Sequence, residues 1–501
     1  MASRALNGLA AAGVAVGVTE LLAAPFDQSA DALNAVGSAV INLTPGRVKE
    51  WAIQTFATAD KLFLSVAIII VIAVLAAVAG SLETRRRPIG SALIAAAGVA
   101  ACAAILSRPG GGALELIPTV VGAGCGILVL RILTVKEAKL QGDSPPDASR
   151  RSSFVAFAFL GAGVVAAVLG GVLSRWLHSV ASERNAVVVP RPATPAPPVP
   201  PGAQPKGVAL PSFVTDNKSF YRIDTALLVP QVSRNDWRLK VHGMVDREIS
   251  YSLDDLKEFE LVEKMVTLTC VSNPVGGDLI SNAVWRGYRT RDLLSRAGIH
   301  HDADMVLSTS TDGFTAGTPV EALTDGRDSL LAIAMNGEPL PIEHGYPARL
   351  VVPGLYGYVS ATKWVTDLEL TRFDRAEAYW TRLGWSARAP IKTESRIDVP
   401  RSGQRVPVGP VTFGGVAWAQ NRGVRAVEVR IDDGPWRPAD LGANYSNDTW
   451  RLWSYSWAAT AGSHTMSVRA TDNTGAVQTA DQAPVMPDGA TGWHTVTFTA
   501  A

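Results

Sequence analysis

Five stretches of the chain are apolar over the length of a membrane-crossing helix: 5–23, 62–80, 89–106, 113–130 and 154–173. About 20 residues of helix cover a hydrocarbon core, and each stretch meets or approaches that length. Glu115 interrupts the fourth near its start without shortening it below a span. The stretch 32–43 is too short to cross and predicts an interfacial or re-entrant segment. The first stretch lacks a clear small-residue cleavage site and four more follow it, which predicts an uncleaved helix rather than a signal peptide. Their Ala, Gly and Val content suits close helix–helix approach in lipid.

The pattern then changes twice. The run 190-PRPATPAPPVPPGAQP-205 predicts an extended, semi-rigid polyproline spacer. From about residue 397 onward, apolar and polar positions alternate. The segment 427-VEVRIDDGPW-436 turns at Asp433-Gly434, and 465-TMSVRATDNTG-475 turns at Asn473-Thr474-Gly475. Short strands with regular turns read as an antiparallel sandwich of immunoglobulin type without its disulfide. Trp450, Trp453 and Trp457 do not alternate cleanly and read as core and edge packing. The expected organisation is a five-helix transmembrane bundle over 1–177, a Pro-rich linker over 178–210, an α+β domain over 211–395 and an all-β sandwich over 396–501.

Charge sets the orientation. The loops 83-ETRRRP-88 and 131-RILTVKEAKLQGDSPPDASRR-151 are rich in Arg and Lys, which places both in the cytoplasm. With five spans the amino terminus is inside, and everything after Leu177 is outside a plasma membrane. A net charge of +1 gives no reason to expect a nucleic-acid partner.

Only Cys270 lies outside the apolar stretches; Cys102 and Cys125 sit within them. Exported proteins use cysteines in pairs, so an odd thiol there is buried, occupied or reactive. It ends a β-like run, 265-MVTLT-269, and opens a polar, Gly/Pro-rich loop, a position suited to chemistry or metal ligation. Further on, 335-MNGEPLPIEHGYPARLVVPG-354 and 357-GYVSATKW-364 set His344, Arg349, Ser360 and Lys363 on loops around a short buried strand, 349-RLVV-352. Cations, a hydroxyl and glycines in such a cluster suit a phosphate on a polar heterocycle.

The pieces 219-SFYRIDTAL-227, 237-WRLKVHGMVD-246, 268-LTCVSN-273, 285-WRGYRTRDLL-294, 311-TDGF-314, 332-AIAMNGEPL-340, 344-HGYPARLVVPG-354 and 363-KW-364 together resemble the molybdenum-cofactor domain of the sulfite oxidase family, in a membrane-anchored bacterial form. The resemblance runs from about 213 to 498 and takes in that family's carboxyl-terminal immunoglobulin-like domain. It implies an α+β domain holding molybdopterin, with Cys270 as the protein ligand to molybdenum. A soft thiolate suits that metal. By the same resemblance His344, Arg349 and Lys363 grip the pterin and its phosphate, with Ser360 and Asp312 as further candidates. Arg222 falls beside the oxo groups and Asn273 within reach of the cofactor. The family's last domain often mediates dimerisation, so the resemblance allows a homodimer through it.

Two departures bear on substrate. Where sulfite oxidases carry an arginine five residues after the cysteine, this chain has Val275. Where they place a tyrosine beside the metal, Trp385 aligns, with Tyr379 nearby. The segment 357–364 is also one residue longer. A pocket with one cation fewer and an indole more is less suited to a small dianion. The expectation is two-electron oxygen-atom transfer on a small substrate with an apolar body, such as a sulfoxide or N-oxide. Alternatives are methionine sulfoxide reduction, sulfite dehydrogenation, and a binding module that has lost the cofactor.

The chain has no C-x-x-C-H site and no cysteine cluster for iron–sulfur. Of its seven histidines only His178 reaches the apolar third, so a bis-histidine haem is not expected. The helices either bind a quinone, hand electrons to a separate redox protein, or anchor. Glu20, Asp60 and Glu115 lie in or near apolar stretches, where an acid is functional or snorkels to the interface. Arg150 and Arg151 precede the fifth stretch, four and three residues ahead of Phe154, and resemble a twin-arginine export signal for folded cargo.

Overall fold

The computed structural model describes residues 2–26, 28–45, 48, 51, 55, 60–108, 111–140 and 146–501. The chain divides into two compact units: 1–180 with 226–231, and 181–225 with 232–501.

The first unit is helical: α1 (Ala2–Ala23), α2 (Ala32–Leu43), α3 (Asp60–Leu82), α4 (Ile89–Leu106), α5 (Ile117–Leu140) and α6 (Pro146–His178). Five segments, Ser3–Ala23, Phe63–Leu82, Ile89–Leu106, Leu114–Glu137 and Ser153–Ala186, are long and apolar enough to cross a membrane. They coincide with the five apolar stretches, because only an α-helix satisfies its own backbone in lipid. The short stretch forms α2, which is capped by Asp31 and packs on α4. Helix α1 packs against α3, α5 and α6. A Cβ built on Gly8 would collide with the Ala76 carbonyl of α3, and one on Gly163 with Gly13, so glycine lets these backbones touch. Two polar clusters lie near the amino-terminal end of α1, where Gly80 packs on Arg4. Glu137 accepts from Ser3 and Asn7. Glu83, fully buried, accepts from Ser91 and from Arg131 at 3.1 Å. The side chains of Arg150 and Arg151, and that of Asp60, lie outside the described residues.

The second unit contains four sheets. One joins Ile249–Tyr251, Leu239–Gly243, Val365–Thr371, Met305–Ser310 and Thr315–Pro319, with a parallel pair between Leu239–Gly243 and Val365–Thr371. Another joins Leu261–Thr269, Ile280–Arg289 and Leu330–Met335, the last also pairing with the buried strand Arg349–Val351. These two enclose a core that includes Trp237, Leu239, Leu293, Leu350 and Leu368.

The remaining two sheets are built around the antiparallel partners Glu394–Val399, Gly409–Trp418 and Arg451–Ala459, and around Val424–Ile431, Gly462–Asp472 and His494–Ala500. They share a core of Phe413, Trp453, Met466, Val468 and Phe498. The alternation that marked these strands is kept; Gly462–Asp472 buries every second residue over much of its length. The tight turns fall where expected, with Asp432 and Asp433 at positive φ and Gly475 at φ 93°. Trp453 is fully buried in this core, whereas Trp450 is buried in the other and donates from Nε1 to the Phe213 carbonyl.

The Pro-rich run is extended, and it is strapped along this unit. Ala193 N–H donates to Leu261 O, and Thr194 O accepts from Glu263 N–H at 2.9 Å. Prolines lack an N–H, so the run contributes mainly carbonyls: Pro190 O accepts from Arg286, Pro197 O from Tyr445, and Gly202 O from Ala443 N–H.

Candidate active site

The strand Leu261–Thr269 ends one residue before Cys270, and the next strand starts at Ile280. Cys270 N–H donates to Leu279 O at 2.9 Å and closes the intervening loop at its base. Inside it, Asn273 Oδ1 accepts from Leu279 N–H, while Asn273 Nδ2, buried, has no partner among the described residues. The far side of the loop is gripped by the carboxyl-terminal sheets. Gly277 O accepts from Arg396 Nη1 at 2.7 Å. Gly276 lies at φ 79°, and any Cβ there would strike the His494 ring. His494 is pushed down to about 4 by burial and by Arg396. Neutral, it accepts from Ile397 N–H through Nδ1 at 3.0 Å.

Two tyrosines that sequence reasoning passed over flank the thiol. Burial raises the Tyr221 phenol, the Cys270 thiolate raises it further, and Arg349 opposes both. Tyr356, buried, is raised by its burial, by Glu394 and, less, by Cys270. The only signal for Tyr221 was its place beside Arg222; Tyr356 had none.

From Tyr221 the site continues into a group of cations. Arg349 is buried, and among the described residues its guanidinium donates only to backbone carbonyls, those of His344, Leu350 and Ala361, 3.2–3.3 Å away. It faces the Trp285 ring at 5.0 Å. No carboxylate forms an ion pair with it among the described residues, and burial lowers it to about 10. Lys363 donates to Asp224 at 2.7 Å and to Glu343 O at 3.0 Å, and burial lowers it to about 8 against the pull of Asp224. Arg222 donates to the same Asp224 oxygen at 2.9 Å. Burial, then Arg349 and Lys363, push His344 down to about 3. It is therefore neutral at pH 7, with Nε2 donating to Asn217 O at 3.2 Å. Gly345, at φ 111°, brings these groups together; a Cβ there would lie 3.0 Å from Arg349 Cβ and 3.1 Å from Lys363 Cβ. The structure thus gathers Cys270, Arg222, His344, Arg349 and Lys363.

The other candidates form a second group. Ser360, fully buried, donates to Tyr356 O at 2.9 Å and ends the turn Gly357–Val359. A Cβ on Gly357 would sit 4.0 Å from Thr269 O, so this turn lies at the end of the cysteine strand. Tyr358 of the turn contacts Trp385 (5.6 Å between ring centroids), Trp385 contacts Trp380, and Trp380 contacts Tyr379 at 5.2 Å. Asp312 accepts from Phe314 N–H, and Phe314 lies 5.9 Å from Tyr379. Val275 packs partly buried on the core.

The arrangement fits a phosphorylated, metal-binding organic group. Lys363 and Arg222 share the carboxylate of Asp224 while Arg349 pairs with none among the described residues, and a buried guanidinium without a counter-ion is costly unless an anion completes it. The buried Asn273 amide likewise lacks an acceptor among the described residues. No group of three or more His, Cys, Asp or Glu side chains among the described residues could hold a metal ion.

Residues 226–380 match the family model described as the oxidoreductase molybdopterin binding domain, so the chain carries a molybdopterin-binding domain of oxidoreductase type, all but its first six residues in the second unit. Chicken (Gallus gallus) sulfite oxidase is 30% identical over 322 residues, covering 54% of this chain and 70% of that one. Human mitochondrial sulfite oxidase is also 30% identical, over 55% of this chain and 59% of its own length. An uncharacterised oxidoreductase of Bacillus subtilis, YuiH, is 36% identical over 30% of this chain and 73% of its own. The sulfane dehydrogenase SoxCD from Paracoccus pantotrophus shares the fold, with a TM-score of 0.51 at 23% identity over 57% of this chain and 83% of that chain. The chain belongs to the sulfite oxidase family. It spans 59% of the length of the human relative.

Proposed function

We propose that this protein is a membrane-anchored, extracytoplasmic molybdenum oxidoreductase that transfers an oxygen atom to or from a small substrate with an apolar body. The observation that carries this reading is the buried cation group beside Cys270, with Arg349 lacking a carboxylate of its own among the described residues. In it Cys270 ligates the metal. Lys363, Arg349 and His344 hold the pterin and its phosphate, Asn273 and Ser360 line the cofactor, and Arg222 faces the substrate's oxygen. The cofactor supplies two-electron chemistry coupled to oxygen-atom transfer. The chain's own part is to orient that group, exclude water, and move protons. Neutral His344 can donate through Nε2 and accept through Nδ1 without adding charge.

Trp385 and Tyr379 form the substrate's wall in this reading, and Asp312 belongs with the residues that line the cofactor. Val275 leaves that wall without the arginine of the sulfite oxidases, and so favours a sulfoxide or N-oxide over sulfite. Methionine sulfoxide reduction is the second reading, favoured by the same aromatic group. Assaying one loaded preparation for sulfite oxidation and for methionine sulfoxide reduction tests this. Turnover of sulfite at ordinary enzymatic rates contradicts the preference.

The domains take the boundaries 1–177, 178–210, 211–395 and 396–501, the last an immunoglobulin-like sandwich. Both Arg-rich loops and the amino terminus lie in the cytoplasm, which the Glu83–Arg131 and Glu137–Ser3 bonds support by gathering them at one end. Arg150 and Arg151 direct export of the folded domain; replacing both with Lys should leave it inside. Electrons pass to a quinone or a separate redox protein, and the sandwich offers a face for a homodimer.

A further inference from the structure

The loop that carries His344 and Arg349 is held by its backbone carbonyls. Trp364 Nε1 donates to Ile342 O at 2.8 Å, Lys363 Nζ to Glu343 O at 3.0 Å, and Arg349 Nη1 to His344 O at 3.2 Å. Two of these donors are cations of the candidate site, and Trp364 is the chain neighbour of Lys363. The carbonyls just before them are held from elsewhere. Arg184 donates from Nε to Leu340 O at 2.8 Å and from Nη2 to Pro339 O at 2.6 Å. Its neighbour Glu183 takes the other end of the loop and accepts from the Tyr346 hydroxyl at 2.8 Å. Both residues lie on a six-residue helix, α7 (Ala181–Ala186), inside the stretch 178–210 that the sequence pattern marks as linker.

The helix is itself anchored. The Glu183 carboxylate also accepts from Ser233 Oγ and from Arg234 N–H, both at 2.7 Å. Tyr346 is 2% exposed, so losing the carboxylate would strand a buried hydroxyl. Farther along, the strap bonds of Ala193 and Thr194 to the strand Leu261–Thr269 keep this part of the chain on the unit.

This bracket matters because Lys363 and Arg349 have two tasks. Their donors now hold the loop, yet a phosphate is a stronger acceptor than a carbonyl and competes for them. If the loop depended on those two cations, binding the anion would release it and cost its order. With α7 gripping residues 339, 340 and 346, the cations can turn to the anion while the loop stays in place.

We propose that Glu183 and Arg184 are positioning residues of the cofactor site, fixing the loop of His344 and Arg349 from outside so that its cations are available to the pterin's phosphate. The inference rests on the cofactor reading above. Both residues act through the loop, and no bond is made or broken by them.

The test uses the full chain in detergent, with and without cofactor. The amides of Leu340, His344 and Gly345 bond to Ile333, Pro341 and Ile342 carbonyls, so their hydrogen exchange reports opening of the loop. In cofactor-free Glu183→Ala and Arg184→Met that exchange should be about tenfold faster than in wild type, with the amides of Leu261–Thr269 unchanged. Loaded with cofactor, both variants should lose molybdenum about tenfold faster on dialysis. Glu183→Gln should stay near wild type, because its amide oxygen keeps Tyr346 and Arg234 while its nitrogen donates to Ser233. Tyr346→Phe should give a smaller change in the same direction and carries the comparison if Glu183→Ala does not fold. Wild-type retention of molybdenum in the loaded variants, or exchange that rises across the whole unit, overturns the positioning role. A wild type without molybdenum overturns the cofactor reading, and the exchange comparison in cofactor-free protein is unaffected by that result.

Discussion

The loop that carries Cys270 and the cationic group around Lys363 belong to the same compact unit and settle their polar atoms in opposite ways. The loop is closed by its own backbone, clamped by Arg396 on Gly277 and by His494 under Gly276. Only the Asn273 amide is left over. The cationic group stays under-compensated: Arg349 leans on carbonyls, and Lys363 and Arg222 divide Asp224. In the proposed reading the rigid loop sets where a metal sits, and the charge excess receives the anion that brings it. Position and affinity are therefore separable, and substitutions should affect one without the other.

The largest effect is expected at Arg349→Met. Losing charge-assisted contacts to a phosphate should weaken cofactor retention by about tenfold to a hundredfold, measured by molybdenum content after dialysis. In cofactor-free protein the same change should be neutral or stabilising, by up to about 4 kcal/mol, because it removes a buried charge. Unfolding of loaded and stripped protein, compared side by side, checks that reversal of sign. Gly276→Ala should cost about 2–3 kcal/mol through its left-handed backbone and the clash with His494, and should lower turnover more than cofactor content. A third effect depends on pH. His494 is held down at about 4 against about 6.5 unfolded, so the unfolded chain binds the extra proton. The stability His494 contributes is complete above about 6.5 and is lost as pH falls to about 4, worth about 1–2 kcal/mol after allowing for partial exposure. His494→Asn should flatten that part of the stability profile. The smallest is Trp385→Tyr, which should shift the ratio of sulfoxide to sulfite turnover by less than about tenfold.

Much of this was legible in the sequence where one physical rule dominates. The helices in lipid follow from unbroken apolar length, and the outer strands from alternation. The thiol, Arg349, Lys363 and His344 could be recognised because residues of rare chemistry stood among glycines. The clamp could not. His494 and Arg396 lie over a hundred residues from the loop they hold, on strands whose pattern signals only a sheet. Tyr221, Tyr356 and Asp224 were hidden for a related reason: an ordinary residue acquires its role only when burial and a distant neighbour set its charge. The Pro-rich run looked like a free spacer because composition shows that it is extended and gives no hint of what accepts its strap of hydrogen bonds.

The central claim is that Cys270 binds molybdenum held by a pterin. Molybdenum content and visible absorption, compared between wild type and Cys270→Ser, test it most directly. The account predicts about one molybdenum per loaded wild-type chain, with a thiolate-to-metal band that the serine variant lacks. A wild type matured in a cofactor-competent host and still free of molybdenum, or a serine variant with an unchanged spectrum, would contradict it.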